Sequence, residues 1–333
     1  MTNSLSWLIC PKFSDRGKLE KFLIDQGNYT FFQSSDYNDL YLRNGYKALS
    51  LVGMEKEVIV ASCNIIILKE RYGPLSGLTT RAIITGGPVT SNIIYFKDII
   101  IKIKELLKNE VIYLQMRNVF DLSQEKKVIL ENFGISYQKH YTILNSVVEN
   151  PMDYYSSGRR KNIRRAIRNK LIFRQLRSFQ DISEAGKLVV DTYKRIKLPC
   201  PNLYFFSSIF EFSQEDKVVV FGTYLDDKLI ASRFCMMNQH ILYDWYAGHR
   251  EDFNTYYPND FIIHHIFEWA QKKGVSTFDF GGAGNNTTEY GVREFKLKFG
   301  GQLTEYGRSE IVFKPFKYSL GKFGFKIKKL IFK

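Results

Sequence analysis

The chain of 333 residues is poor in several things, and each absence excludes a class of protein. Its four cysteines, Cys10, Cys63, Cys200 and Cys235, lie far apart without a CxxC pair. Reduced thiols are therefore expected in place of a disulfide framework. Five histidines, two of them adjacent at His264 and His265, show no ligand spacing with a cysteine or another histidine, so no metal site is expected. No apolar run approaches the roughly 18 residues that a membrane-crossing helix needs. The opening MTNSLSWLICPKF lacks a charged stretch followed by a long apolar one, so a cytoplasmic location is expected rather than secretion. Low-complexity tracts are missing too. A content of 44% hydrophobic and 25% charged residues then fits a globular protein long enough for two domains.

Charge balance is also missing. The net charge is +14, and it is concentrated. Residues 159–170 read RRKNIRRAIRNK, without an acid, and seven lysines but no carboxylate follow Glu310. Such clusters favour an anionic partner: nucleic acid, lipid headgroups or a phosphorylated substrate. On a helix, 159–170 would have only the narrow apolar stripe Ile163, Ala166 and Ile167. Arg159, Arg160, Arg164 and Arg165 are thus candidates to contact phosphates of tRNA or of a lipid diphosphate. A solvated helix bracing a domain junction is the alternative. Aromatic residues do not interleave with this run, so stacking on a single strand is not indicated. The tail KPFKYSLGKFGFKIKKLIFK (314–333) mixes lysines with Phe316, Phe323, Phe325, Leu330, Ile331 and Phe332. It suits an interfacial segment on anionic lipid, and equally a segment that packs its aromatics on the first domain.

What is present is an α/β pattern that runs twice. Strands are expected at 58–68, 82–85, 111–117 and 141–148, with helices at 92–107 and 124–133, the second stopped by Gly134. After the basic helix come strands at 171–176, 218–224, 230–237 and 241–247, then a helix at 258–273 that starts on Pro258 and stops at Gly274. A strand at 277–280, a glycine loop and a helix at 292–299 close the second half. Each half holds strands, a crossover helix, a strand and a short helix ending in Phe-Gly, Phe133-Gly134 and Phe299-Gly300. Two α/β domains with mixed sheets are expected.

Seven segments in order carry a resemblance: FFQSSDY at 31–37, GGP at 86–88, YLQMRN at 113–118, GRRKNIRRAIRN at 158–169, YPNDFIIHHIFEWAQKKG at 257–274, FDFGG at 278–282 and GVREFKLKFG at 291–300. Together they resemble the FemABX family of tandem GNAT-like aminoacyltransferases and related surface-polysaccharide acyltransferases, over nearly the whole chain. The resemblance implies two GNAT-like domains: 1–150, which 308–333 could complete, and 151–307, carrying the active site. It implies transfer of an aminoacyl or acyl group to an amine of a cell-envelope precursor, on a glycan or a lipid carrier. No tightly bound cofactor is expected; the donor co-substrate would be aminoacyl-tRNA or acyl-CoA. An acetyl-CoA-dependent amino-sugar N-acetyltransferase and a catalytically degenerate pair acting as a scaffold are the alternatives.

Donor choice can be argued from residues 249–262, HREDFNTYYPNDFI, where a GNAT-like domain would hold the pyrophosphate of acetyl-CoA. This stretch has no glycine, carries acids, and places Pro258 where an N–H donor is wanted. It disfavours acetyl-CoA. The GGAG at 281–284 looks like a phosphate cradle, but it lies one strand later and reads better as a packed turn beside the reacting centre.

Among side chains, Phe295-Lys296 matches the family's Phe-Lys pair, whose lysine is taken to stabilise the oxyanion of acyl transfer. A solvent-facing helix lysine is the bland reading. Asp279, between Phe278 and Phe280, could orient Lys296, act as a base if burial raises its pKa, or cap the glycine turn. Arg233, in the strand pattern IASRFCMM, needs an anion, either a substrate phosphate or a neighbouring carboxylate. Asp244, Tyr246, Asn259 and Tyr290 are expected to shape the substrate site.

Overall fold

The computed structural model describes residues 5–10, 13–27, 29–69, 78–284 and 291–331. Tyr290 therefore lies outside the described residues. The chain forms two compact units, residues 1–139 with 306–333, and residues 140–305.

In chain order, unit 1 begins with β1 (Ser6–Cys10), α1 (Arg16–Asp25), α2 (Ser35–Arg43), β2 (Lys47–Glu55) and β3 (Val58–Leu68). It continues with β4 (Arg81–Thr85), β5 (Val89–Thr90), α3 (Ile93–Leu107), β6 (Tyr113–Arg117), α4 (Gln124–Asn132) and β7 (Ser136–Gln138). Unit 2 then runs through β8 (Tyr141–Ser146), α5 (Ser157–Arg168), β9 (Ile172–Leu176), α6 (Phe179–Arg195), α7 (Leu203–Ser208) and α8 (Phe210–Ser213). Next come β10 (Val218–Leu225), β11 (Lys228–Asn238), β12 (Ile241–His249), α9 (Pro258–Lys272), β13 (Thr277–Gly282), α10 (Gly291–Leu297) and β14 (Gln302–Glu305). Finally β15 (Arg308–Val312) and α11 (Pro315–Ile331) return to unit 1.

The two sheets have one plan. In unit 1 the strand order is β1-β2-β3-β4-β6-β15-β7, with β5 paired to β3; in unit 2 it is β9-β10-β11-β12-β13-β8-β14. Each has one parallel pair among the described strands, β4 with β6 and β12 with β13, and a helix crosses over between its members. The sixth position of each sheet is filled from the far side of a short turn: β8 follows β7 but joins unit 2, and β15 follows β14 but joins unit 1. The sequence pattern places the strand at 141–148 in the first domain, with the boundary at 150. Its pairing with β13 and β14 puts it in unit 2 instead. Hydrophobic patterning marks a strand without naming its partner, which is why the boundary moves.

Local rules explain the elements that frame the site. Helix α3 is capped by Asn92 and buries Phe96, Ile99, Ile100, Ile103 and Leu107 on one face, over β3, β4 and β6. Helix α9 starts on Pro258 and buries Ile262, Ile263, Ile266, Phe267 and Ala270. These meet Phe221, Phe278, Phe280 and Phe299 in the core of unit 2. On unit 2, α6 packs on β11 and β12.

The approach of α6 to β12 is set by a missing side chain. A Cβ on Gly248 would lie 2.5 Å from the backbone of Leu188 and Val189, atoms that cannot swing aside. A Gly248→Ala protein is expected to lose roughly 1–3 kcal/mol, the usual cost of overpacking. Thermal unfolding checks this, with Gly158→Ala as control, because a Cβ there meets nothing within 4 Å. An unchanged midpoint for Gly248→Ala would contradict the packing.

Candidate active site

The site grows from a place where two strands part. β12 and β13 pair in parallel over Ile241–Tyr243 and Thr277–Asp279, and pairing stops there although both strands continue. Irregularities adjoin the parting on either side. The β11–β12 register skips Trp245, between Phe234 and Cys235, and the β13–β8 register breaks between Asp279 and Gly282. Bulges of this kind re-aim side chains and end pairing. The carbonyls of Phe280, Gly281 and Gly282 thus lie beyond the β12 ladder and need other donors.

Lys296 supplies them. From α10 its Nζ donates to the carbonyl oxygens of Phe280 at 2.6 Å and Gly282 at 2.9 Å, with Gly281 at 3.4 Å. Burial pushes the ammonium down to about 8; Asp244 and Asp279 oppose that fall, and Arg233 adds to it. A lysine held on backbone carbonyls at the end of a strand, and still partly exposed, is a fixed cation at the mouth of the gap.

Two carboxylates flank it. Asp279, on β13 and 3% exposed, accepts from the Thr142 hydroxyl and from the Gly281 amide at 2.7 Å. Burial pushes its carboxyl up to about 6, against those two donors and Lys296. The capping of the glycine turn is therefore what its contacts show. Asp244, on β12, is ion-paired with Arg233 on β11, and both side chains are buried. Burial raises the Asp244 carboxyl, and Arg233 pulls it down. Among the described residues, Asp244 Oδ1 and Arg233 Nε are buried without a hydrogen-bond partner. The sequence left open whether Arg233 meets a substrate phosphate or a carboxylate; here it meets Asp244.

The glycine loop behaves as a packed turn. Gly281 has φ +65°, and a Cβ on it would lie 3.0 Å from the Tyr243 hydroxyl. Ala283 N donates to Tyr141 O at 2.7 Å, and Gly284 O accepts from Tyr141 N at 2.9 Å. This segment is stitched to Tyr141, the first residue of β8.

Arg159 braces the same region. Its guanidinium donates to Asp260 at 2.5 Å and lies 4.0 Å from the centre of the Phe295 ring and 5.3 Å from that of Phe299. It thereby joins the start of α5, the start of α9 and the face of α10 that carries Phe295. Arg160 donates to Tyr155 O at 2.5 Å, and Arg165 to the Tyr257 hydroxyl at 3.0 Å. Arg164 is exposed, as are Lys161, Arg168 and Lys170. Of the expected phosphate contacts, three arginines carry internal bonds, and the outward charge lies on this second set.

The start of α9 is already filled. Pro258 removes a donor, Tyr257 offers no side-chain cap, and the buried Asp260 carboxylate sits in the first turn. Asp260 also accepts from Asn162 at 3.1 Å. Asn259 lies in the same turn, partly buried. Tyr246 sits in an aromatic cluster with Tyr193, Phe206 and Trp245, within 6 Å of each by ring centre.

One further group escaped the sequence reading. His264, His265 and Glu268 on α9 place ligand-type atoms within 4.8 Å of one another. The i, i+1, i+4 spacing is legible in the sequence, but only when a carboxylate is counted as a partner of the two histidines. Glu268 bonds His265 Nδ1 at 2.6 Å, and burial pushes His264 down to about 4, helped by His265 and opposed by Glu268.

Residues 157–296 match the family model described as Acetyltransferase (GNAT) domain. No curated protein sequence matches the chain. Among solved structures, the crystal structure of FemX is similar at TM-score 0.71 and 14% identity, over 95% of this chain and 99% of that one. The C-terminal domain of a putative lysylphosphatidylglycerol synthetase from Agrobacterium fabrum is similar at TM-score 0.58 and 15% identity, over 89% and 91%. A tandem GNAT protein from the clavulanic acid biosynthesis pathway follows at TM-score 0.56 and 9%, over 93% and 99%. Residues 157–296 are thus an acyltransferase domain of the GNAT kind, set in a chain that shares its two-sheet α/β fold with FemX and a tandem GNAT protein.

Proposed function

We propose that the chain is an N-acyltransferase of FemABX type that moves an aminoacyl group from aminoacyl-tRNA to an amine of a cell-envelope precursor, in peptidoglycan or a surface polysaccharide. The observation that carries the chemistry is the Lys296 ammonium fixed at the parting of β12 and β13. The acceptor nitrogen attacks the donor carbonyl carbon, its π electrons move to oxygen, and Lys296 stabilises that oxyanion. As the tetrahedral intermediate collapses, the bond to the leaving tRNA oxygen breaks, and the proton lost by the amine balances the one gained by the leaving oxygen. A fixed cation at a developing oxyanion is worth on the order of 10²–10³ in rate. Asp244 and Asp279 hold Lys296 charged against the cost of burial. The Asp244 Oδ1, buried without a partner among the described residues, offers an acceptor for an N–H of the incoming amine.

GNAT acyltransferases use acyl-CoA as co-substrate, and in our reading the start of α9 weighs against that donor here. A pyrophosphate placed there would meet the Asp260 carboxylate, no N–H from Pro258, and Arg159 already committed to Asp260. The outward Lys161, Arg164 and Arg168 of α5 supply charge for a tRNA backbone instead. The similar synthetase is named for a lysylated phospholipid, which is in keeping with an aminoacyl donor. The second reading, acetyl transfer from acetyl-CoA to an amino sugar, rests on the acetyltransferase description of the matching model.

Equilibrium binding of labelled aminoacyl-tRNA and labelled acetyl-CoA separates the two. Aminoacyl-tRNA is expected to bind at least about tenfold more tightly, with an affinity that falls steeply as salt rises. Tighter binding of acetyl-CoA would overturn the donor assignment and leave the second reading.

The pH profile tests Lys296 in its charged form. The ammonium is required below its pKa of about 8, so the transfer rate at saturating substrate is expected to fall as pH rises through that value. Arginine stays protonated across this range, so a Lys296→Arg protein is expected to keep part of the rate and lose the alkaline fall. A wild-type rate that stays flat above pH 8 would contradict the assignment.

A further inference from the structure

Helix α11 has two unlike sides. One faces unit 1: the Tyr318 ring lies edge-on to Tyr113 at 5.1 Å, its hydroxyl donates to Glu310, and a Cβ on Gly321 would sit 2.9 Å from Leu78 O. The other side carries Phe316, Leu320 and Phe323, which are 79%, 40% and 64% exposed. At about 100° per residue these three fall within about 60° of arc, roughly opposite Tyr318 and Gly321. In the sequence, Ile327, Leu330 and Ile331 continue the same i, i+4, i+7, i+11, i+14, i+15 spacing. Phe316 is the most exposed large apolar side chain among the described residues, and a stripe of this size marks a surface built for contact.

The flanks say with what. Lys317 and Lys322 are exposed on either side of the stripe, and Lys322 lies over the Tyr318 ring at 4.3 Å. Lys326, Lys328, Lys329 and Lys333 follow, and no carboxylate occurs after Glu310. A protein partner would need its own acids to match this one-signed border. An anionic bilayer matches it everywhere, because aromatic and aliphatic side chains enter the acyl boundary while lysines stay at the phosphates.

We infer that α11 docks the protein on an anionic lipid surface, with Phe316, Leu320 and Phe323 inserted at the headgroup boundary and the flanking lysines on lipid phosphates. The sequence offered lipid contact and packing on unit 1 as alternatives for this tail, and opposite faces of one helix accommodate both. No helix among the described residues is long and apolar enough to cross a membrane, so the attachment is peripheral. It depends on neither the donor nor the reaction proposed above.

The test is co-sedimentation of the full chain with vesicles of phosphatidylglycerol in phosphatidylcholine, and with vesicles of phosphatidylcholine alone. Binding to the anionic vesicles is expected to be at least about tenfold tighter, and to weaken as salt rises. A Phe316→Ser, Leu320→Ser, Phe323→Ser protein is expected to lose at least about tenfold in binding at unchanged circular dichroism and thermal midpoint. Lys317→Glu with Lys322→Glu is expected to abolish the preference for anionic lipid. A Lys296→Met protein should bind as the wild type does, which separates this surface from the reaction. Equal binding to both vesicle types, or undiminished binding by the triple variant, would overturn the inference. So would a triple variant that only dissociates an oligomer, since the stripe would then be an interface between copies.

Discussion

The parting of β12 and β13 is the constraint on which the candidate site in unit 2 depends. A parallel pair that stops after three residues leaves strand-end carbonyls that must be satisfied, because buried peptide groups without partners are costly. Asp279 takes the Gly281 amide, the Thr142 hydroxyl is shared between Asp279 and the Gly281 carbonyl at 3.0 Å, and Lys296 takes the carbonyls of Phe280 and Gly282. One set of bonds therefore closes the end of β13 and fixes a cation beside the gap. In the reaction we propose, structure and chemistry share the same atoms. This is why burial of a lysine, usually a liability, is tolerated here, and why its charge is held by two buried carboxylates.

Around that centre the charges are arranged in matched layers. Arg233 and Asp244 form a buried pair on neighbouring strands, and Arg159 and Asp260 a second pair between neighbouring helices. Removing one member of such a pair strands the other, with typical losses of about 3–5 kcal/mol. The second pair has two effects at once. It anchors Phe295 against a guanidinium, and it places a paired carboxylate in the first turn of α9. The start of α9 is thereby used as a structural joint.

Much of this was legible from the chain. The strand at 58–68 and the buried face of α9 follow from hydrophobic period alone, and Pro258 and Gly274 bound that helix. The doubled α/β order also showed, since each half repeats its turn residues. Three things did not. The places of β8 and β15 depend on pairing partners, which a two-residue period does not name. Helix α2 buries Asn38 and Asp39, and β2 buries Ser50; the Asn38–Ser50–Asn64 bonds that allow this leave no apolar signature. Helix α6 went unread because Ala185 and Gly186 thin its apolar stripe at the contact with α7, where a Cβ on Gly186 would meet Phe206 at 2.4 Å. At the site, residue type marked Lys296, Asp279 and Arg233, but which groups face them was set by the bulges in β12 and β13.

The central claim is that Lys296 stabilises the oxyanion of acyl transfer. Its most direct test is the single-turnover transfer rate of a Lys296→Met protein, with the donor that binding identifies and with folding followed by thermal unfolding. The account predicts a rate lower by about 10²–10³ with donor binding nearly unchanged. A folded Lys296→Met protein that transfers within about twofold of the wild type would contradict it.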